Sequence, residues 1–116
     1  MLSITTEFRD GILFVRLKGS LNKDTIVKLN KKVTNVIKLN GIKNVVFNLS
    51  SLKSIDIKGI NTIFYNYELC KHNNGKSYLC GNNDNIRNKL KKSRLINYVY
   101  EISDELTAIK LFKLRW

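Results

Sequence analysis

Proline is absent from this 116-residue chain, histidine occurs once, cysteine twice, and acids number 9 against 21 lysines and arginines. No low-complexity linker or internal repeat divides it. With His72 as the sole histidine, a metal site lacks its usual ligands and a Ser-His-Asp constellation has little to build on. Cys70 and Cys80 form no Cys-x-x-Cys pair, and in a reducing compartment two such cysteines read as small core residues. No apolar run approaches the roughly 18 residues that span a bilayer. Met1 to Glu7 lack the charged-then-apolar layout of a signal peptide, so a cytoplasmic protein is expected. At this length, with 43% hydrophobic residues, the chain suits one core, read as a single domain over 1–116.

What is abundant is positive charge, a formal +12. A basic surface attracts phosphate backbones, acidic proteins and anionic membranes alike. The lysines are nevertheless spread over every segment and accompanied by many asparagines and isoleucines, a trio that an AT-rich genome favours through its codons. The densest cluster is Lys89, Lys91, Lys92 and Arg94, short of a basic run. Nucleic-acid binding is therefore the lesser reading of the charge.

Residues 45 to 64 organise the chain. Val45, Val46, Phe47 and Leu49 read as a strand buried on both faces. A loop of about seven residues is expected next. Beyond Asp56, the apolar positions Ile60, Ile63, Phe64 and Tyr67 recur at helical spacing. Asp56 is the natural N-cap, accepting from the N–H of Lys58 or Gly59. Gly59 either lets the loop pack closely or leaves this helix start bare for a partner or an anion.

Around this stretch, 2–8 and 11–18 alternate as a hairpin turned at Arg9-Asp10-Gly11, its first strand on an edge and its second inside the sheet. Ile26, Leu29, Val33, Val36 and Ile37 form a first helix that stops at Asn40-Gly41 and exposes Lys28, Lys31, Lys32 and Lys38 to solvent. The second helix runs to about His72, with Tyr67 on its core stripe and Tyr65 half-exposed. A short strand over 77–81, a third helix with Ile86 and Leu90, a last strand over 95–102 and a closing helix holding Leu106, Ile109 and Phe112 and ending in Arg115 and Trp116 complete the pattern. The alternation predicts an α/β fold: one mixed β-sheet opening with an antiparallel hairpin, covered by about four helices.

Ile55-Asp56-Ile57-Lys58-Gly59-Ile60 resembles the switch motif of the STAS domain in bacterial anti-sigma factor antagonists: an apolar residue, Asp-Ser-Ser-Gly or Asp-Ser-Thr-Gly, then Leu. Asp10 to Asn22 is similar to the family's opening hairpin and Val45 to Ser50 to its central strand, so nearly the whole chain is covered. The resemblance implies the same fold and a protein-binding regulatory module that is not an enzyme and holds no cofactor or metal. It implies docking on an anti-sigma factor that is also a kinase, and release once that kinase phosphorylates the hydroxyl residue after the motif Asp. A phosphate at a helix N-terminus is held by N–H groups yet blocks a desolvated interface.

This chain departs from the pattern at the decisive position. Ile57 has no hydroxyl, and Lys58 sets a cation at the positive end of a helix. Asn22 and Asn48 stand where the family has acids, which would weaken an acidic pocket beside the switch helix. Ser54, in the loop, and Thr62, in the helix, are the remaining acceptors, Ser54 the better placed. The expected partner surface is Asn22, Ser54, Asp56, Ile57, Lys58, Gly59 and Ile60, with Ile57 either an apolar anchor or folded into the core. An alternative within the resemblance is an accessory subunit of a membrane transport or lipid-transport complex, reaching the membrane through its partner.

Overall fold

A computed structural model describes residues 1–114, so Arg115 and Trp116, read as the end of the last helix, lie outside the described residues. Strands β1 (Leu2–Arg9) and β2 (Ile12–Leu21) pair antiparallel. Asp10 at φ 55° and Gly11 at φ 78° make the left-handed turn between them. Strands β3 (Asn44–Ile55), β4 (Ser77–Cys80) and β5 (Tyr100–Ile102) then add in parallel, giving a five-stranded mixed sheet in the order β1-β2-β3-β4-β5. β1 is an edge and β2 lies inside, as the hairpin's pattern predicts.

Helices α1 (Ile26–Leu29) and α2 (Asn35–Asn40) are joined by a wide π-helical stretch, Asn30–Thr34, into one body that keeps Leu29, Val33 and Ile37 fully buried. It packs with α3 (Ile57–His72) and α4 (Asp84–Ser93) on one face of the sheet, over Val15, Leu17, Val45, Phe47, Leu49 and Leu79. The other face carries α5 (Glu105–Lys113), whose Ala108, Ile109 and Phe112 meet Ile12, Phe14, Val46, Tyr78 and Cys80. Successive residues of β3 therefore enter opposite cores, which is why Val45, Val46 and Phe47 are apolar in succession; each such full burial contributes about 1.5–3 kcal/mol. Cys70 and Cys80 are free and buried, and burial raises both thiols, Cys80 to about 11.

Three expectations are corrected. The seven-residue loop does not exist: β3 continues through Ser50–Ile55 and Asp56 alone joins it to α3. The reason is β2, long enough to pair that extension as Ser20↔Ser54 and Leu21↔Ile55. The expected strand over 95–102 is a 3-10 turn, Leu95–Asn97, followed by the three-residue β5. Arg94, left-handed at φ 67°, and the bond from the Val99 N–H to the Leu95 carbonyl curl the backbone, so that Leu95 and Val99 are buried one turn apart. In α5, Leu106 is 58% exposed, and Ala108 takes the inward position instead.

Candidate functional site

Where the ends of β2 and β3 lie side by side, two connections are tied together by one carboxylate. Asp56 is extended (φ −107°, ψ −179°) and its N–H donates to the Leu21 carbonyl at 3.2 Å. Its Oδ1 accepts from the Gly59 N–H at 2.8 Å, capping α3, and its Oδ2 accepts from the Lys23 N–H at 2.9 Å in the loop after β2. Of the two donors foreseen, Gly59 is the one whose hydrogen bond closes the cap. Burial pushes this carboxyl up, but the N–H groups of Gly59, Lys23 and Lys58 outweigh it and leave the pKa below its ordinary value. With both oxygens so engaged, Asp56 holds the corner together and is poorly placed to act as a base.

Gly59 is turned inward. A Cβ there would lie 2.5 Å from the Leu21 carbonyl oxygen and 2.9 Å from Leu21 Cγ, so the glycine permits helix and strand to touch. Ile60 beside it is buried. The side chains that the corner offers outward are Ile57, 58% exposed, and Lys58. Ile57 does not fold into the core, because α3 starts directly at Ile57 and Gly59 and Ile60 take the inward positions.

Asn22 Oδ1 accepts from the N–H groups of Asp24 (2.9 Å) and Thr25 (3.1 Å), so the amide shapes the turn into α1 beside the Asp56 link. Asn48 belongs elsewhere: its Nδ2 donates to Glu105 Oε2 at 2.8 Å on the α5 face, where Glu105 also receives Arg16. The two asparagines thus do not share one pocket. Ser54 lies in β3, one residue before its end, rather than in a loop, and its hydroxyl donates to Ser20 Oγ at 2.8 Å. Thr62 donates to the Lys58 carbonyl of its own helix at 2.9 Å.

Residues not assigned to the site from sequence complete it. Lys89 and Lys92, three apart on α4, stand with Ser93 across from Ile55, Asp56, Ile57 and Ile60 around a shallow hollow of about 350 Å³. Lys89 Nζ donates to the Ile55 carbonyl at 3.2 Å. The signal for them was the basic cluster at 89–94; what the sequence hid was that α4 lies beside the start of α3.

Other proteins share this architecture. A curated relative, the "Anti-sigma F factor antagonist" of Paenibacillus polymyxa, is 26% identical over 108 residues, covering 93% of this chain and 92% of its own. The crystal structure of an anti-sigma factor antagonist from Mycobacterium paratuberculosis superposes with a TM-score of 0.83 at 18% identity, covering 95% of each chain. A sulfate transporter family protein from Wolinella succinogenes matches with a TM-score of 0.76 at 18% identity, over 93% of this chain and 89% of that one. The STAS domain profile matches residues 3–109. The hairpin and mixed sheet are thus those of a known lineage, and this chain belongs to the STAS domain family.

Proposed function

We propose that this chain is a protein-binding regulatory module of the anti-sigma factor antagonist kind, acting in the cytoplasm as a single domain over 1–116. It docks on a kinase-type anti-sigma factor through the corner formed by Asn22, Ser54, Asp56, Ile57, Lys58, Gly59 and Ile60. Ile57 is the apolar anchor, Lys58 meets an acidic group of the partner, and Asn22, Asp56 and Gly59 hold the corner in shape. The observation that carries this reading is the 58% exposure of Ile57 at the tip of a corner tied by Asp56 to two connections. An isoleucine so placed gains by being covered, by up to about 1.5–3 kcal/mol on full burial. Since position 57 carries no hydroxyl, the complex is not released by phosphorylation there.

The experiment is titration of the purified protein with each purified anti-sigma factor of the same cell, followed calorimetrically. One of them binds, Ile57→Asp weakens that complex by at least about tenfold, about 1.4 kcal/mol, and incubation with the kinase and ATP adds no phosphate to residues 54–62. Absence of binding to every anti-sigma factor refutes the docking reading; a phosphate on Ser54 or Thr62 refutes the unswitched form of it. The second reading, an accessory subunit of a membrane transport complex, draws on the shared fold of the sulfate transporter family protein. It requires the protein to sediment with membranes and to leave them when its partner is deleted.

A further inference from the structure

We propose that the channel between α3 and the segment from α4 to Tyr98 seats an acidic, amphipathic segment of a protein partner. The hollow at Ile57 continues past Ile60 and Ser93 into a second one of about 230 Å³, lined by Phe64, Arg94 and Tyr98 among others. Ile57, Ile60 and Phe64 are spaced i, i+3, i+7 along α3, so the channel floor is apolar, with Ile57 exposed, Phe64 partly so and buried Ile60 between them. Tyr98, 54% exposed, closes the far end with its ring edge-on to Phe64, centroids 5.3 Å apart.

The rim is predominantly basic, three cations lining the two hollows against one acid. Lys89, Lys92 and Arg94 line the hollows, exposed Lys58 follows Ile57 on α3, and among the described residues none of the four takes part in an ion pair. The acid at this rim, Asp56, has its oxygens engaged by the Gly59 and Lys23 N–H groups. An apolar stripe beside cations that enter no ion pair suits a segment with large apolar side chains along one face and carboxylates along its flank. A nucleic acid suits it less: Tyr98 is engaged edge-on with Phe64 rather than presented as a stacking platform for bases.

The inference rests on the docking reading for its starting point at Ile57 and adds the α4 wall and the partner's charge. Its test selects displayed random peptides of about 16 residues, roughly four helical turns, on the intact protein. Synthetic copies of the winners are then titrated against the wild type, the exposed-site double variant Lys89→Glu/Lys92→Glu and the single variant Lys92→Glu, with circular dichroism confirming that each is folded. Enriched peptides carry acids flanking apolar residues at helical spacing, lose at least about tenfold in affinity on the double reversal, and shift the amide resonances of Ile57, Ile60, Phe64 and Tyr98. The proposal is overturned if no peptides are enriched, if the winners lack acids or ignore the reversal, or if a single-stranded RNA of about 16 nucleotides binds these residues more tightly. Acidic peptides seated here with no anti-sigma factor binding would remove the docking reading alone. An anti-sigma factor bound with undiminished affinity by the charge-reversed protein would remove this inference alone.

Discussion

The starts of α3 and α5 present the same device with opposite outcomes. Each helix has an aspartate N-cap, Asp56 accepting from the Gly59 N–H and Asp104 from the Thr107 N–H, both at 2.8 Å. At α5 the charges are answered locally: Arg16 donates to Glu105 at 2.7 and 2.9 Å and to Glu7 at 2.9 Å, while Asn48 Nδ2 is a further donor to Glu105. At α3, Lys58, Lys89 and Lys92 enter no ion pair among the described residues, the Asp56 carboxylate being turned to backbone N–H groups, and an isoleucine faces out. In a chain with 9 acids, their placement separates the surface that the fold closes upon itself from the one it leaves open.

The sharpest way to break the contrast is at Gly59. Gly59→Ala drives a methyl against the Leu21 carbonyl, and the expected cost is about 1–3 kcal/mol, read as a lower urea midpoint. An unchanged midpoint would mean that the corner does not depend on that close approach. Next comes Glu105→Gln, which should lower stability at neutral pH by about 1–2 kcal/mol, since Glu105 is only partly exposed and anchors a charged hydrogen bond. The Arg16 hydrogen bond holds the Glu105 pKa below its ordinary 4.5, against the opposing effect of burial and with help from Asn48. A depressed folded-state pKa means that this stabilisation is complete above 4.5 and is lost as pH falls below it. The gap between wild type and Glu105→Gln should therefore close on acidification; a gap that stays constant would sink the assignment. Smallest is Asp56→Ala, with an expected loss of about 1 kcal/mol and faster amide exchange at Gly59 and Lys23, the two donors it would orphan.

Element types were largely legible because apolar spacing records which side of the sheet each residue meets. The hairpin, the doubly buried β3 and the Asp56 cap all followed from pattern and local chemistry. The far half of β3 was not legible: its register against β2 shifts between Arg16 and Lys18 and again between Gly19 and Ser20, so alternation fails over Ser50–Ile55 and the stretch looks like a loop. Leu95 to Ile102 misled in the opposite sense, because β-branched and aromatic residues there serve a 3-10 turn made by left-handed Arg94. At the site, the inward face of Gly59 depends on the end of β2, and the α4 wall on a packing between helices distant in sequence. Neither is encoded within a local window.

The lysines that read as solvent-facing on the first helix have another employment. Lys28 Nζ donates to the Leu2 carbonyl at 2.6 Å and Lys32 Nζ to the Ile4 carbonyl at 3.4 Å, two oxygens on the outer margin of β1. The opposite margin, β5, is only three residues long. Addition of an extra strand, a common route to promiscuous aggregation and to capture of extended peptides, thus meets ammonium groups on the first half of one rim and, on the other, a strand too brief to template a long ladder.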